Sequence, residues 1–155
     1  MKIKSYLQQS PIFSLNAAYE AVIPKLNKQL KSDHLNLLQG LVLTALFFED
    51  RFDINPSYLA EVFQTSRGNM SHILSDLEYR GYIKRVLNEK DARGFKIELK
   101  ADGRKKALSL IKFFDRLQNI FEKNLGLSKC QNTVDGLHSI SEVFTDFIQH
   151  DRFIP

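Results

Sequence analysis

The strongest constraint on the fold lies between residues 55 and 103, where helical and strand periodicities follow one another in a fixed order. Asn55-Pro56 opens a short helix over Ser57 to Phe63. Asparagine can cap the free N–H groups, and proline fits a first turn that needs no donor. Gln64-Thr65-Ser66 then breaks the chain, with Ser66 placed to cap a second helix. In that helix Met70, Ile73, Leu74 and Leu77 recur at i, i+3, i+4 and i+7, which makes one apolar stripe. Gly81 ends it, because glycine takes the left-handed conformation of a helix C-terminus at little cost. Alternation with a period of two follows over Tyr82 to Asn88 and Phe95 to Lys100, with Phe95, Ile97 and Leu99 on one face. Residues 89–94, polar and containing Gly94, read as the turn between these strands.

A helix pair followed at once by a hairpin is a winged helix-turn-helix. The expected fold is mainly α with a small β-wing, the winged region being flanked by dimerisation helices. On the N-terminal side, Tyr6 to Lys31 reads as helix, with Pro24 expected to kink or split it near Val22 and Ile23. Leu35 to Glu49 reads as a second helix, apolar almost all round and so buried. After the hairpin, Ala101 to Leu125 is a long helix whose apolar face (Leu108, Ile111, Phe114, Phe121, Leu125 and a second row beside them) is too wide for one small domain. Gly126 to Asn132 reads as a connector, and Val134 to Ile148 as a last amphipathic helix. The expected organisation is one unit over 1–155, with a winged helix region at 35–103 and dimerisation helices at 6–32 and 104–150.

Charge gives this arrangement a direction. Residues 79–106 hold ten lysines and arginines against four acids, in a chain of net charge +4, so the remainder is on balance acidic. A basic stretch beside a helix-turn-helix suggests contact with a polyanion. Winding the second helix at about 100° per residue puts Gly68, His72, Ser75 and Tyr79 opposite the buried stripe, flanked by Arg67, Asn69, Ser71 and Asp76. Arginine, asparagine and serine can read or bridge to base edges, and short side chains let a helix approach the groove floor. Arg80, Lys84 and Arg85 lie toward the phosphates in this reading.

The segment MSHILSDLEYRGYIKR resembles the recognition helix and first wing strand of the MarR (multiple-antibiotic-resistance regulator) family. Leu77-Glu78, Gly81-Tyr82-Ile83 and Arg85 follow the family pattern, as do Asp91, Arg93, Leu99 and Gly103 in DARGFKIELKADG. Lys100 stands where the family usually has a threonine that caps the long helix. The resemblance implies a homodimeric transcriptional regulator, commonly a repressor, that binds a palindromic operator in double-stranded DNA. It also implies that Arg93 reaches into the minor groove, oriented by Asp91. The candidate DNA-binding residues are therefore Ser66, Arg67, Asn69, Ser71, His72, Ser75, Lys84, Arg85, Lys90, Asp91, Arg93 and Lys96. A small aromatic or apolar anionic effector is a further expected partner, suggested by the resemblance and by the phenylalanines near Phe47 and Phe113. The alternative is a winged helix used for protein–protein contact without DNA, which would have no need of the basic wing.

Other classes find less support. No catalytic triad, phosphate-binding glycine loop or activated nucleophile is present, so no enzyme, cofactor or metal site is expected. His34, His72, His138 and His150 lack metal-ligand spacing. Cys130 is the single cysteine and reads as an incidental thiol in a reducing compartment. The longest apolar run, Gly40 to Phe48, is far short of the roughly 20 residues of a membrane helix. A soluble, cytoplasmic protein is the expectation, and a hydrophobic content of 43% is enough for a real core.

Overall fold

A computed structural model describes residues 2–49, 54–88 and 91–150. The order is α1 (Lys2–Gln9), α2 (Pro11–Leu30), a 3₁₀ turn (Lys31–Asp33), α3 (Leu37–Phe48), α4 (Pro56–Val62), α5 (Arg67–Tyr79), β1 (Ile83–Asn88), β2 (Asp91–Leu99), α6 (Ala101–Leu125) and α7 (Leu127–His150). This is the mainly α winged helix-turn-helix architecture read from the sequence. The chain divides into two compact units, Glu20–Phe113 and Met1–Tyr19 with Phe114–Pro155.

In the first unit the apolar stripes converge. Val42, Leu43, Leu59, Met70, Leu74, Leu77, Ile83 and Leu110 are completely or almost completely buried, contributed by α3, α4, α5, β1 and α6. The helix starts are held by side chains. Asn36 caps α3 by a reciprocal exchange with Gln39, Asn55 accepts from the Tyr58 N–H, and Ser66 accepts from the Asn69 N–H. Each satisfies donors that a first helical turn leaves unpaired. Gln64 takes a left-handed φ of 47° in the turn between α4 and α5, where the Thr65 N–H donates to the Ala60 carbonyl. Gly81, at φ 75°, closes α5 as expected, and the Tyr82 N–H reaches back to the Leu77 carbonyl.

The hairpin is antiparallel, with Ile83 opposite Leu99 and Leu87 opposite Phe95. A register shift between Leu87 and Asn88 then sets Asn88 against Asp91. Strand β2 thus starts at Asp91, and residues 91–94 are strand rather than the turn their polarity suggested. Asp91 faces Asn88 across the ladder, and residues 92–94 take up the register shift. The Ile97 N–H also donates to the Ile54 carbonyl at 2.8 Å, tying the entry to α4 onto the wing.

Two further readings are corrected. The N-terminal helix breaks at Ser10, not near Pro24, and α2 runs through Pro24. Pro11 sits at a first turn where its missing N–H costs nothing. Pro24 removes one backbone bond from a 20-residue helix whose flanking bonds carry it on. The connector at 126–132 shrinks to Gly126, at φ 84°, and the polar residues after it form the first turns of α7. Cys130 is therefore a helical residue.

In the second unit, Tyr6 and Phe13 meet edge to face with centroids 6.2 Å apart. None of the described side chains of α7 is buried, and Phe144, Phe147, Ile148 and Leu137 lie exposed on it. Pro11, Ile12, Ile140, Val143, Phe144 and Phe147 line an apolar hollow of about 400 Å³. No helix of the described residues is long and apolar enough to cross a membrane.

Candidate nucleic-acid interface

The buried stripe of α5 determines what its other side presents. With Met70, Ile73, Leu74 and Leu77 turned inward, Arg67, Gly68, Asn69, Ser71, His72, Ser75 and Tyr79 are all exposed. The polar face predicted by helical winding is thus the face the fold leaves open. Ser66 remains at its head as the cap, its Oγ accepting from the Asn69 N–H at 3.1 Å. The Asn69 amide donates to Thr65 Oγ1 at 2.8 Å, so the first turn is ordered by its own side chains.

Arg85 plays a different part from the one expected. Its guanidinium donates to Glu78 Oε2 at 2.7 Å and to Ser75 Oγ at 3.0 Å, with a longer contact to the Ser71 carbonyl at 3.4 Å. Its backbone N–H also donates to Glu78 Oε1 at 3.0 Å. Both carboxylate oxygens of Glu78 are thereby engaged by one residue of β1. The ion pair is half-buried, and it joins the wing to α5 rather than extending toward solvent. Such a two-point arginine–carboxylate pair carries geometry as well as attraction.

On the wing, Glu98 receives Lys84 Nζ on one oxygen at 2.9 Å and Lys96 Nζ on the other at 3.1 Å. Hydrogen bonds from Lys84 and then Lys96 hold its carboxyl below the usual range. At the far end of α5, Arg80 Nε donates to Asp76 Oδ2 at 2.9 Å, which raises the arginine pKa further and keeps it charged. Lys90 lies outside the described residues. Of Asp91 and Arg93 only the backbone is described, in β2, so the expected ion pair between them falls outside as well.

Sequence reasoning missed three residues that organise this surface: Gln39, Glu78 and Glu98. The pattern Asn36-x-x-Gln39 is a capping-box signature and would have revealed Gln39 as the start of α3. Glu78 stood in the family pattern with Arg85 without a role being read from it, and nothing comparable marks Glu98, whose partners are Lys84 on the facing strand and Lys96 on its own. Among the described residues no group of three or more His, Cys, Asp or Glu is placed to hold a metal ion.

The comparisons agree with this geometry. A sequence profile described as the MarR family matches residues 35–94, the stretch that contains α3, α4, α5, β1 and the start of β2. The HTH-type transcriptional regulator PrsX of Escherichia coli is 36% identical over 63 residues, covering 41% of this chain and 38% of the relative. The chain thus spans well under half the length of that relative. The HTH-type transcriptional regulator SarZ of Staphylococcus haemolyticus is 29% identical over 147 residues, 94% of this chain and 97% of SarZ. Among solved structures, the S. aureus MepR–DNA complex superposes with a TM-score of 0.79 at 17% identity, covering 88% of this chain and 98% of MepR.

Proposed function

We propose that the chain, which matches the MarR family profile over residues 35–94 and is 29% identical to SarZ over 94% of its length, is a MarR-family, sequence-specific DNA-binding transcriptional regulator. It acts as a homodimer on a palindromic operator and represses by occupying it. The observation that carries this reading is the open polar face of α5, lying directly opposite a fully buried stripe and joined to the wing through Glu78 and Arg85. Helix α5 enters the major groove, with Arg67, Asn69, Ser71, His72 and Ser75 toward base edges. Ser66 orders the N-terminus of the helix, which favours a nearby phosphate. The wing follows the backbone into the minor groove, with Lys84, Lys90 and Lys96 at phosphates and Arg93 as the reader, a role that the family resemblance implies for it together with Asp91.

The wing assignment is tested with two variants on two duplexes. Arg93→Ala is expected to weaken binding to a selected operator by roughly 1–3 kcal/mol, as for a specific contact. Lys96→Ala should weaken operator and random DNA alike and reduce the salt slope. Equal small losses for both variants on both duplexes would show that the wing does not read sequence.

The dimer rests on helices at 6–32 and 104–150. They leave Phe13, Leu15, Phe121, Leu125, Phe144 and Phe147 exposed in a single chain, more apolar surface than a monomer tolerates. Sedimentation at micromolar concentration should give about twice the 17.9 kDa chain mass, and a stable folded monomer would overturn the proposal. A small aromatic or apolar anion is the proposed effector, acting on the spacing of the two recognition helices. Operator affinity unchanged by a panel of aromatic acids would remove that part alone.

A further inference from the structure

Gln39 is the buried polar side chain of the described residues, and both ends of its amide are used. Its Oε1 accepts from the Asn36 N–H at 2.9 Å, completing the cap of α3. Its Nε2 donates to Asp76 Oδ2 at 2.6 Å, a contact across 37 residues of sequence from α3 to the last turn of α5. The same Asp76 oxygen accepts from Arg80 Nε. Behind Gln39 the line continues, because the Leu37 N–H donates to Asn27 Oδ1 on α2 at 2.7 Å. A run of directional hydrogen bonds therefore leads from α2 through the start of α3 to α5.

The stripe of Met70, Ile73, Leu74 and Leu77 holds α5 against the core, but apolar packing is non-directional. Small rotations of α5 about its axis leave most of that burial in place. A short bond between an amide and a carboxylate does not tolerate such a rotation, since hydrogen bonds weaken steeply with distance and angle. Asp76 is next in sequence to Ser75, so whatever fixes it fixes the direction in which the open face points.

We propose that Gln39 is a positioning residue for base recognition. Acting through Asp76, it sets the rotation of α5 and hence the aim of Ser71, His72 and Ser75. The proposal rests on the reading of α5 as the recognition helix. It separates two kinds of contact. Long lysines follow a phosphate through a small rotation, whereas hydrogen bonds to base edges do not. Loss of the Gln39–Asp76 bond therefore lowers specificity more than affinity for DNA in general.

The experiment uses the full chain, a duplex selected from a random pool and a scrambled duplex of equal length, all at one salt concentration. Gln39→Glu keeps the shape and the acceptor toward Asn36 but sets a second carboxylate against Asp76. It should reduce the selected-to-scrambled affinity ratio about tenfold, the size of one base contact, with the salt slope on scrambled DNA unchanged. The double variant Gln39→Glu with Asp76→Asn exchanges donor and acceptor and retains one negative charge, so in an Arg80→Ala background, where no second donor faces the exchanged amide, it should recover most of that ratio. Gln39→Met, which leaves Asp76 with Arg80, gives the same loss of ratio without introducing a charge and serves where Gln39→Glu does not fold. Equal losses on both duplexes, or no recovery in the double variant, would overturn the proposal and leave Gln39 a purely structural residue. A wild-type chain that prefers no selected sequence overturns the recognition reading of α5 itself.

Discussion

Gly103→Ala is expected to destabilise the chain by about 1–3 kcal/mol, the typical cost of overpacking. A Cβ at position 103 would lie 2.0 Å from the Tyr82 carbonyl oxygen, 2.8 Å from its carbon and 3.1 Å from Leu99 Cδ2. The first two are backbone atoms and cannot swing aside. Tyr82 is held from both directions, its carbonyl accepting from the Lys100 N–H at 2.9 Å and its N–H donating to the Leu77 carbonyl at 3.0 Å. Accommodating one methyl group therefore means parting the first turn of α6 from the base of the wing and the end of α5. The measurement is a urea or thermal unfolding curve, where each kcal/mol is worth roughly 2–4 °C in a chain of this length. An unchanged midpoint would mean that α6 does not approach the wing this closely in solution.

Leu74→Ala and His72→Ala should separate stability from recognition two residues apart on one helix. Leu74 is completely buried and seats α5 on the core. Truncating it leaves a cavity and should cost about 2–5 kcal/mol of stability. His72 is exposed, so its removal should change stability by no more than about 0.5 kcal/mol while weakening binding to a selected operator. Binding by Leu74→Ala, measured well below its unfolding midpoint, should retain the sequence preference of the wild type. A destabilised His72→Ala, or one that binds the operator at full strength, would mean that α5 faces the other way.

Much of this was legible because it is local. Caps at Asn55 and Ser66, the stripe from Met70 to Leu77, the left-handed Gly81 and the alternation at Ile97 and Leu99 depend on neighbours within a few residues. The structure keeps each of them. Pro24 misled because proline disfavours a helix interior on average, while 20 residues of helix can absorb one missing bond. The polar residues from 91 onward misled because β2 begins at Asp91, opposite Asn88, and carries 92–94 through a register shift that no local pattern announces. Arg85 is the most instructive case. A basic residue beside a recognition helix reads as a phosphate contact, yet its partner, Glu78, sits seven residues earlier on α5 and meets it only once Gly81 has turned the chain back. No periodicity announces a pair made by a reversal of that kind.

Glu98, with a lysine on each carboxylate oxygen, gives the wing a built-in counter-ion. A lysine that transfers from this carboxylate to a phosphate still displaces its share of the cations condensed on the duplex. It therefore counts fully in the slope of log affinity against log salt, about −0.9 per phosphate for B-form DNA. It surrenders an internal partner in doing so, and the affinity extrapolated to high salt falls by that exchange. Counting wing lysines from a salt titration will thus give the number of phosphates met, while overstating how much each one strengthens the complex. Glu98→Gln should leave the count as it is and raise the intercept.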